Sequence, residues 1–201
     1  NLESGEYSMA FESYDNGLIL GVKNMSLELA FGKSMLKIGN INDAKRQFGK
    51  QGYEGEEAME ADLLLAYIYS LDDTSEAKKI LENVEATGKM QVYYDEFLDV
   101  LNSLNDDTKY NGAKLARVYI NNGYPYLAIS VLEPLKENIL EYLEGMYFLG
   151  RAYMETGQYE KAIETLDGAL TLGGLETEIF WSKARAYYLS DDFDNSTKTY
   201  D

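Results

Sequence analysis

Between Met146 and Leu170 the apolar positions return at helical spacing. Leu149 and Tyr153 form one set, and Tyr159, Ile163, Leu166 and Leu170 a second, with Thr156-Gly157 between them. Apolar residues three or four apart share one helix face, and a Thr-Gly pair interrupts a helix, so the pattern predicts two amphipathic helices joined by a tight turn. The same pattern stands 34 residues earlier and 34 later. Ala116-Arg117-Val118-Tyr119, Gly150-Arg151-Ala152-Tyr153 and Ala184-Arg185-Ala186-Tyr187 are in step. Ala128, Ala162 and Ser196 follow at that interval, as do Leu132, Leu166 and Tyr200. A fixed period of this length is the mark of a repeat array, in which each helix pair buries its apolar face against its neighbours.

At these residues the chain resembles the tetratricopeptide repeat family, whose first helix carries an aromatic, Leu-Gly and Tyr, and whose second carries Ala and then an aromatic or Leu. The resemblance implies an all-α fold, an α-solenoid of helix–turn–helix units wound into a right-handed superhelix with a concave groove. Phe31-Gly32, Met35, Gly39, Ala44 and Phe48 place a repeat over 25–58; Leu65-Ala66, Tyr69, Ala77 and Leu81 place another over 59–91, with one residue fewer in its turn. Repeats at 109–142 and 143–176 and a partial one at 177–201 complete the register. The opening Gly5 to Tyr14 aligns with Gly157 to Leu166, so 1–24 is expected to be the second helix of a repeat, and the last second helix is expected to stop near Tyr200. Residues 92–108 supply a lone helix from Tyr93, Phe97, Val100, Leu101 and Leu104, where a break in the array is expected. Pro125 suits a helix start, whereas Pro134 removes a backbone donor late in a second helix and should kink or end it.

Small residues at Gly32, Ala66, Ala116, Gly150 and Ala184, and at Ala10, Ala44, Ala77, Ala128, Ala162 and Ser196, are expected to let the paired helices approach closely. The chain has no Cys and no His, which removes disulfides, thiolate nucleophiles and the commonest general base and metal ligand. Against 18 Lys and Arg stand 35 Asp and Glu, a net charge of −17 that opposes binding to nucleic acid or anionic membrane. No apolar run reaches the ~20 residues of a membrane span. Nothing in the sequence fixes the compartment.

Several short motifs read as coincidence. Phe31-Gly32-Lys33-Ser34 lacks the glycine that a phosphate loop needs, with Leu27 in its place, and lies mid-helix. Ser34…Lys37 and Ser75…Lys78 have the serine–lysine spacing of acyl enzymes but no companion motif. Asp72-Asp73, Asp106-Asp107 and Asp191-Asp192-Phe193-Asp194 lack the turn glycine and late Glu of a calcium loop and read as helix caps. No cofactor or metal site is expected.

One constellation remains. Three of the four Arg, Arg117, Arg151 and Arg185, recur at 34-residue spacing, with Lys33 and then Tyr67 at the same place in the earlier repeats. Tyr147 and Trp181 stand one turn before two of them, and Tyr188 follows Arg185. In the resembled family this face looks into the groove, which implies a wall of Arg and aromatics suited to an extended peptide. Arg would fork onto carboxylates or carbonyls, and the rings would supply area. Family members that clamp a terminal carboxylate use Lys and Asn there; Asn is missing from these places, which disfavours that ligand. The competing reading is that Glu144, Glu155 and Glu178 neutralise the Arg along the helices. Three classes follow: a non-enzymatic module binding a peptide or protein segment, a scaffold or self-assembling spacer joined through partial terminal repeats, and an enzyme, for which no paired acid and base stand out.

Overall fold

The computed structural model describes residues 24–84 and 86–200, together with Met9, Glu12, Tyr14, Asn16 and Gly17. Contacts divide the chain into two units, 1–102 and 103–201. In the first, α1 (Met25–Lys37) pairs with α2 (Ile41–Phe48) and α3 (Gly55–Tyr69) with α4 (Thr74–Glu82). Next, α5 (Gly88–Asn102) packs on both α3 and α4, as the first helix of a following pair would. The second unit pairs α6 (Thr108–Asn121) with α7 (Pro125–Leu132), α9 (Leu143–Glu155) with α10 (Tyr159–Thr171), and α11 (Glu176–Leu189) with α12 (Phe193–Tyr200). A 3-10 turn over Glu133–Leu135 and the short α8 (Lys136–Ile139) lie between α7 and α9. The described residues form helices and turns without strands, an all-α array of the kind the 34-residue period predicts.

Close approach inside each pair rests on the small residues. A Cβ added to Gly150 would lie 2.6 Å from Leu166 Cγ, and one added to Gly32 would lie 2.6 Å from Phe48 Cε1. Ala66, Ala116 and Ala184 fill the same seat on the other first helices, and Ala44, Ala77, Ala128 and Ala162 face them; all are fully buried. Ser196 takes the alanine place in the last pair, and its hydroxyl donates to the Ala184 carbonyl at 2.9 Å, so its polarity is satisfied where it is buried. Ala10 and the side chain of Tyr200 lie outside the described residues.

The turns repeat as closely as the seats. Gly39, Gly123 and Gly157 have φ of +82°, +79° and +78°. Behind each, the next amide reaches back to a first-helix carbonyl: Asn40 to Met35, Tyr124 to Tyr119 and Gln158 to Tyr153, each at 2.8 Å. This closure satisfies helix-end carbonyls and needs a left-handed residue. Asp191 occupies that place in the last pair at φ +63°, with Asp192 N bonded to Tyr187 O at 2.9 Å. Acidic caps start the helices that follow: Asp73 accepts from Ser75 and Glu76, Asp107 from Lys109 and Tyr110, and Asp192 from Asn195. Pro125 opens α7, and the α-helix gives way to the 3-10 turn at Glu133-Pro134.

The lone helix differs from its predicted span. It runs from Gly88 to Asn102, not over 92–108, because its buried stripe is Met90, Tyr94, Phe97 and Leu101, while Tyr93 is exposed. Residues 103–107 lead instead to the Asp107 cap of α6. Of the opening segment, Tyr14 stacks on Phe31 at 3.8 Å, and both its hydroxyl and Lys50 Nζ donate to Glu28 at 2.6 Å. The remainder of the helix expected over 1–24 lies outside the described residues.

Burial raises the pKa of the tyrosines at these contacts. Tyr53 is pushed up to about 12, and Tyr14, Tyr94, Tyr142 and Tyr153 also rise, desolvation being the largest cause for each. A folded pKa above the unfolded value near 10 means that the stability these phenols contribute is complete below pH 10 and is lost as pH rises through the folded values. Thermal melts should therefore give a Tm that falls steeply between pH 10 and about 12, together with the appearance of tyrosinate absorbance; a flat Tm across that window would refute the burial. Gly150→Leu should cost roughly 1–3 kcal/mol by overpacking against Leu166, and an unchanged Tm would count against this seat. Asp191→Gly should add about 0.5–1 kcal/mol by removing a side chain from the left-handed region, offset in part by the entropy of glycine; a lower midpoint in urea would contradict it.

Candidate functional site

The first helices of the second unit lie side by side, α6 against α9 and α9 against α11. α6 and α9 bury about half of their residues and α11 fewer, and each leaves an open stripe. On α6 the stripe runs through Tyr110, Lys114 and Arg117; on α9 through Glu144, Tyr147, Arg151 and Glu155; on α11 through Glu178, Trp181 and Arg185. These positions recur at helical spacing because the residues between them, such as Ala116, Leu149 and Ala184, are drawn into the pair contacts.

Each Arg has a different surrounding. Arg117 is exposed and has no ion pair among the described residues. Arg185 is also exposed, with no acid partner among the described residues, and its guanidinium lies 5.5 Å from the centre of the Trp181 ring, which is itself 49% exposed. Arg151 is half-buried, 3.1 Å from Glu155 Oε1 and 5.9 Å from the Tyr147 ring centre. Of the neutralising pairs considered from sequence, the one to Glu155 forms. Glu144 and Glu178 make no ion pair among the described residues.

The first unit treats the same places differently. Lys33 on α1 bridges to Glu60 on α3, a partner 27 residues on. Arg117 with Glu144, and Arg151 with Glu178, have that same separation in the second unit, yet neither pair closes. Tyr67 must be corrected: it is not on an open face but 1% exposed, edge-on to Phe97 at 4.5 Å. The cause is α5, whose buried stripe packs over α3 at this place.

Tyr188 also departs from the expected wall. It is 60% exposed, but the residues that precede it in register, Ile120 and Met154, are buried. Tyr188 thus stands at a packing place left open on the last described pair, edge-on to Phe193 at 5.5 Å. Two residues of the open face were missed from sequence, Lys114 and Tyr110. Lys114 Nζ lies 4.8 Å from the Tyr110 ring centre and donates to Ser103 Oγ at 3.0 Å. Their signal was the stripe itself, three and seven residues before Arg117, which a search restricted to the 34-residue period passes over.

The Gly32-Lys33-Ser34 motif lies within a helix, where Gly32 is the buried packing seat. Gly32, Lys33 and Ser34 lie in mid-α1, with Ser34 Oγ bonded to the Ala30 carbonyl. Among the described residues no group of His, Cys, Asp and Glu could hold a metal ion, and no helix is long and apolar enough to cross a membrane.

No curated protein matches the chain in sequence. Among solved structures it is similar to "Crystal structure of MamA protein", at 17% identity over 88% of this chain and 87% of that one, with a TM-score of 0.43. It is likewise similar to "MamA MSR-1 C2", at 18% identity over 88% and 92%, with a TM-score of 0.44. With scores this low, the fold rests on the helix pairs of the chain itself. The tetratricopeptide repeat family model matches residues 143–172, which are α9, its turn and α10. The pairs before and after it repeat the same small-residue seat, turn closure and spacing, so the matched repeat stands within an array of like helix pairs.

Proposed function

We propose that the chain is a non-enzymatic module that holds a peptide or protein segment against the Arg and aromatic face of α6, α9 and α11. Repeats of this family serve as protein-interaction and scaffold modules, which supports the general class. One observation carries the finer reading: in a chain of net charge −17, Arg117 and Arg185 stay exposed without an acid partner among the described residues, although Glu144 and Glu178 are near in register. Leaving cations open beside available acids fits a face whose counter-charges arrive with a ligand. Guanidinium forks and the Trp181 and Tyr147 rings are suited to carboxylates, backbone carbonyls and flat side chains.

A scaffold role is the second reading, favoured by Phe180, Tyr188, Leu189 and Phe193, all exposed on the last described pair. One experiment separates the two. Partner capture should fall at least about ten-fold when Arg117, Arg151 and Arg185 are changed together to Ala, since three charge-assisted contacts at up to about 1 kcal/mol each are lost. Circular dichroism should show an intact fold. Capture that survives the triple change moves the contact to the apolar corner of α11 and α12 and favours the scaffold reading.

A further inference from the structure

The three Arg of the open face differ in what stands one helical turn after them. Four residues on from Arg117, Arg151 and Arg185 come Asn121, Glu155 and Leu189, which occupy one place of the repeat. Only the middle one is an acid, and it closes on its Arg at 3.1 Å. Arg151 is therefore neutralised within its own helix, and a ligand carboxylate gains there only by displacing Glu155. On α11 an apolar side chain takes the place of that acid, and Arg185 has no acid partner among the described residues.

The rest of the α11 stripe is also unlike its counterparts. Trp181, Arg185, Tyr188 and Leu189 follow the spacing that sets residues along one side of a helix, and all four are exposed. In the preceding pairs the place of Trp181 holds Ala113 and Tyr147, and that of Tyr188 holds Ile120 and Met154. Of these four only Tyr147 is not buried. Among the described residues of the second unit, α11 is thus the first helix on which an unneutralised guanidinium stands among large exposed apolar side chains. Clustered Trp, Tyr and Arg carry a disproportionate share of the energy of an interface.

We infer that α11 is the anchor of the face: Arg185 takes a side-chain carboxylate of the ligand, and Trp181, Tyr188 and Leu189 take large apolar side chains that flank it. This rests on the peptide-binding reading above. Charge complementarity sets the central residue of the ligand, because a guanidinium presents donors and no acceptor. Apolar area on either side of Arg185 along the stripe sets its neighbours. A purely acidic segment fits less well, since it leaves the apolar side chains wet and meets Glu155 on α9.

Trp181 is the sole Trp of the chain, so its emission reports whether this place is occupied. The probes are three short peptides with amidated C-termini and no Trp or Tyr. One carries Glu between Leu and Phe; the second has Gln for that Glu; the third has Ser for both Leu and Phe. Titrated into the whole chain, the first should shift the Trp181 emission and bind about five-fold more tightly than the Gln peptide and about ten-fold more tightly than the Ser peptide. This comparison is made on the unaltered protein and does not depend on any variant folding. Affinities of variants are read by polarisation of the first peptide labelled with fluorescein. Arg185→Ala should weaken it about five-fold, and Arg151→Ala about two-fold or less. Leu189→Glu, which gives α11 the acid that α9 has, should weaken it about five-fold, and more than Leu189→Ala does. Equal losses from Arg117→Ala, Arg151→Ala and Arg185→Ala, or undiminished binding by Leu189→Glu, would overturn the anchor while leaving the face reading in place. Absence of binding by all three peptides, or binding indifferent to every Arg change, would overturn both.

Discussion

The close approach of the two helices within a pair is the constraint on which everything else depends. It requires a residue no larger than alanine on the first helix, opposite a large apolar side chain on the second, as Gly150 sits against Leu166 and Gly32 against Phe48. Once that seat is fixed, the side chains one position later are turned away from the partner helix. Arg117, Arg151 and Arg185 directly follow Ala116, Gly150 and Ala184. Their recurrence on one side of the second unit is thus a by-product of packing: the seat sets the phase of each helix, and the open stripe inherits it. The turn closures serve the same end, because a left-handed residue and a back-bonded amide return the chain at a constant angle.

The electrostatics follow from this phase. A surface with nearly twice as many acids as bases has counter-ions for every cation, so an exposed guanidinium without one is a matter of geometry. In the first unit the geometry closes Lys33 onto Glu60; in the second it leaves Arg117 and Arg185 open and lets Arg151 turn to Glu155, one helical turn away. Stacking on Trp181 and Tyr147 helps to keep Arg185 and Arg151 extended, since a ring face is a favourable neighbour for a guanidinium even where it is wet. The result is a face on which Arg117 and Arg185 stay exposed while Arg151 is held by Glu155.

Much of this was legible in the sequence because a repeat prints each constraint several times. The 34-residue period gave the helix pairs, the seats, the turn glycines and the Arg ladder, and it placed Ser196 at the alanine position; Asp191, read from sequence as a cap, takes the place of the turn glycine at φ +63° while Asp192 caps the helix. What it obscured were the places where one copy departs from the others. Tyr67 has the right register but the wrong environment, because a non-periodic helix covers it, and register alone carries no information about what packs on top. Tyr188 fails for the opposite reason: its counterparts Ile120 and Met154 are buried, and only the burial of neighbours reveals that the place is a packing place. Lys114 and Tyr110 escaped because they recur along a single helix and not between repeats. The span of the lone helix shifted because two apolar stripes, one through Tyr93 and one through Tyr94, compete over the same residues.

The helix that covers Tyr67 has a consequence of another kind. Residues 83–87 tether α5 to α4, and a partner held by so short a connection acts at an effective concentration on the order of millimolar or more, whatever the dilution of the protein. The ring of Phe97 therefore competes for Tyr67 permanently and without a diffusional search. A free segment of chemistry similar to α5 would have to be present at comparable concentration to take its place. The same position of the repeat consequently has two environments within one chain: at Arg117 and Arg185 it is exposed, and at Tyr67 it is spent on internal cohesion.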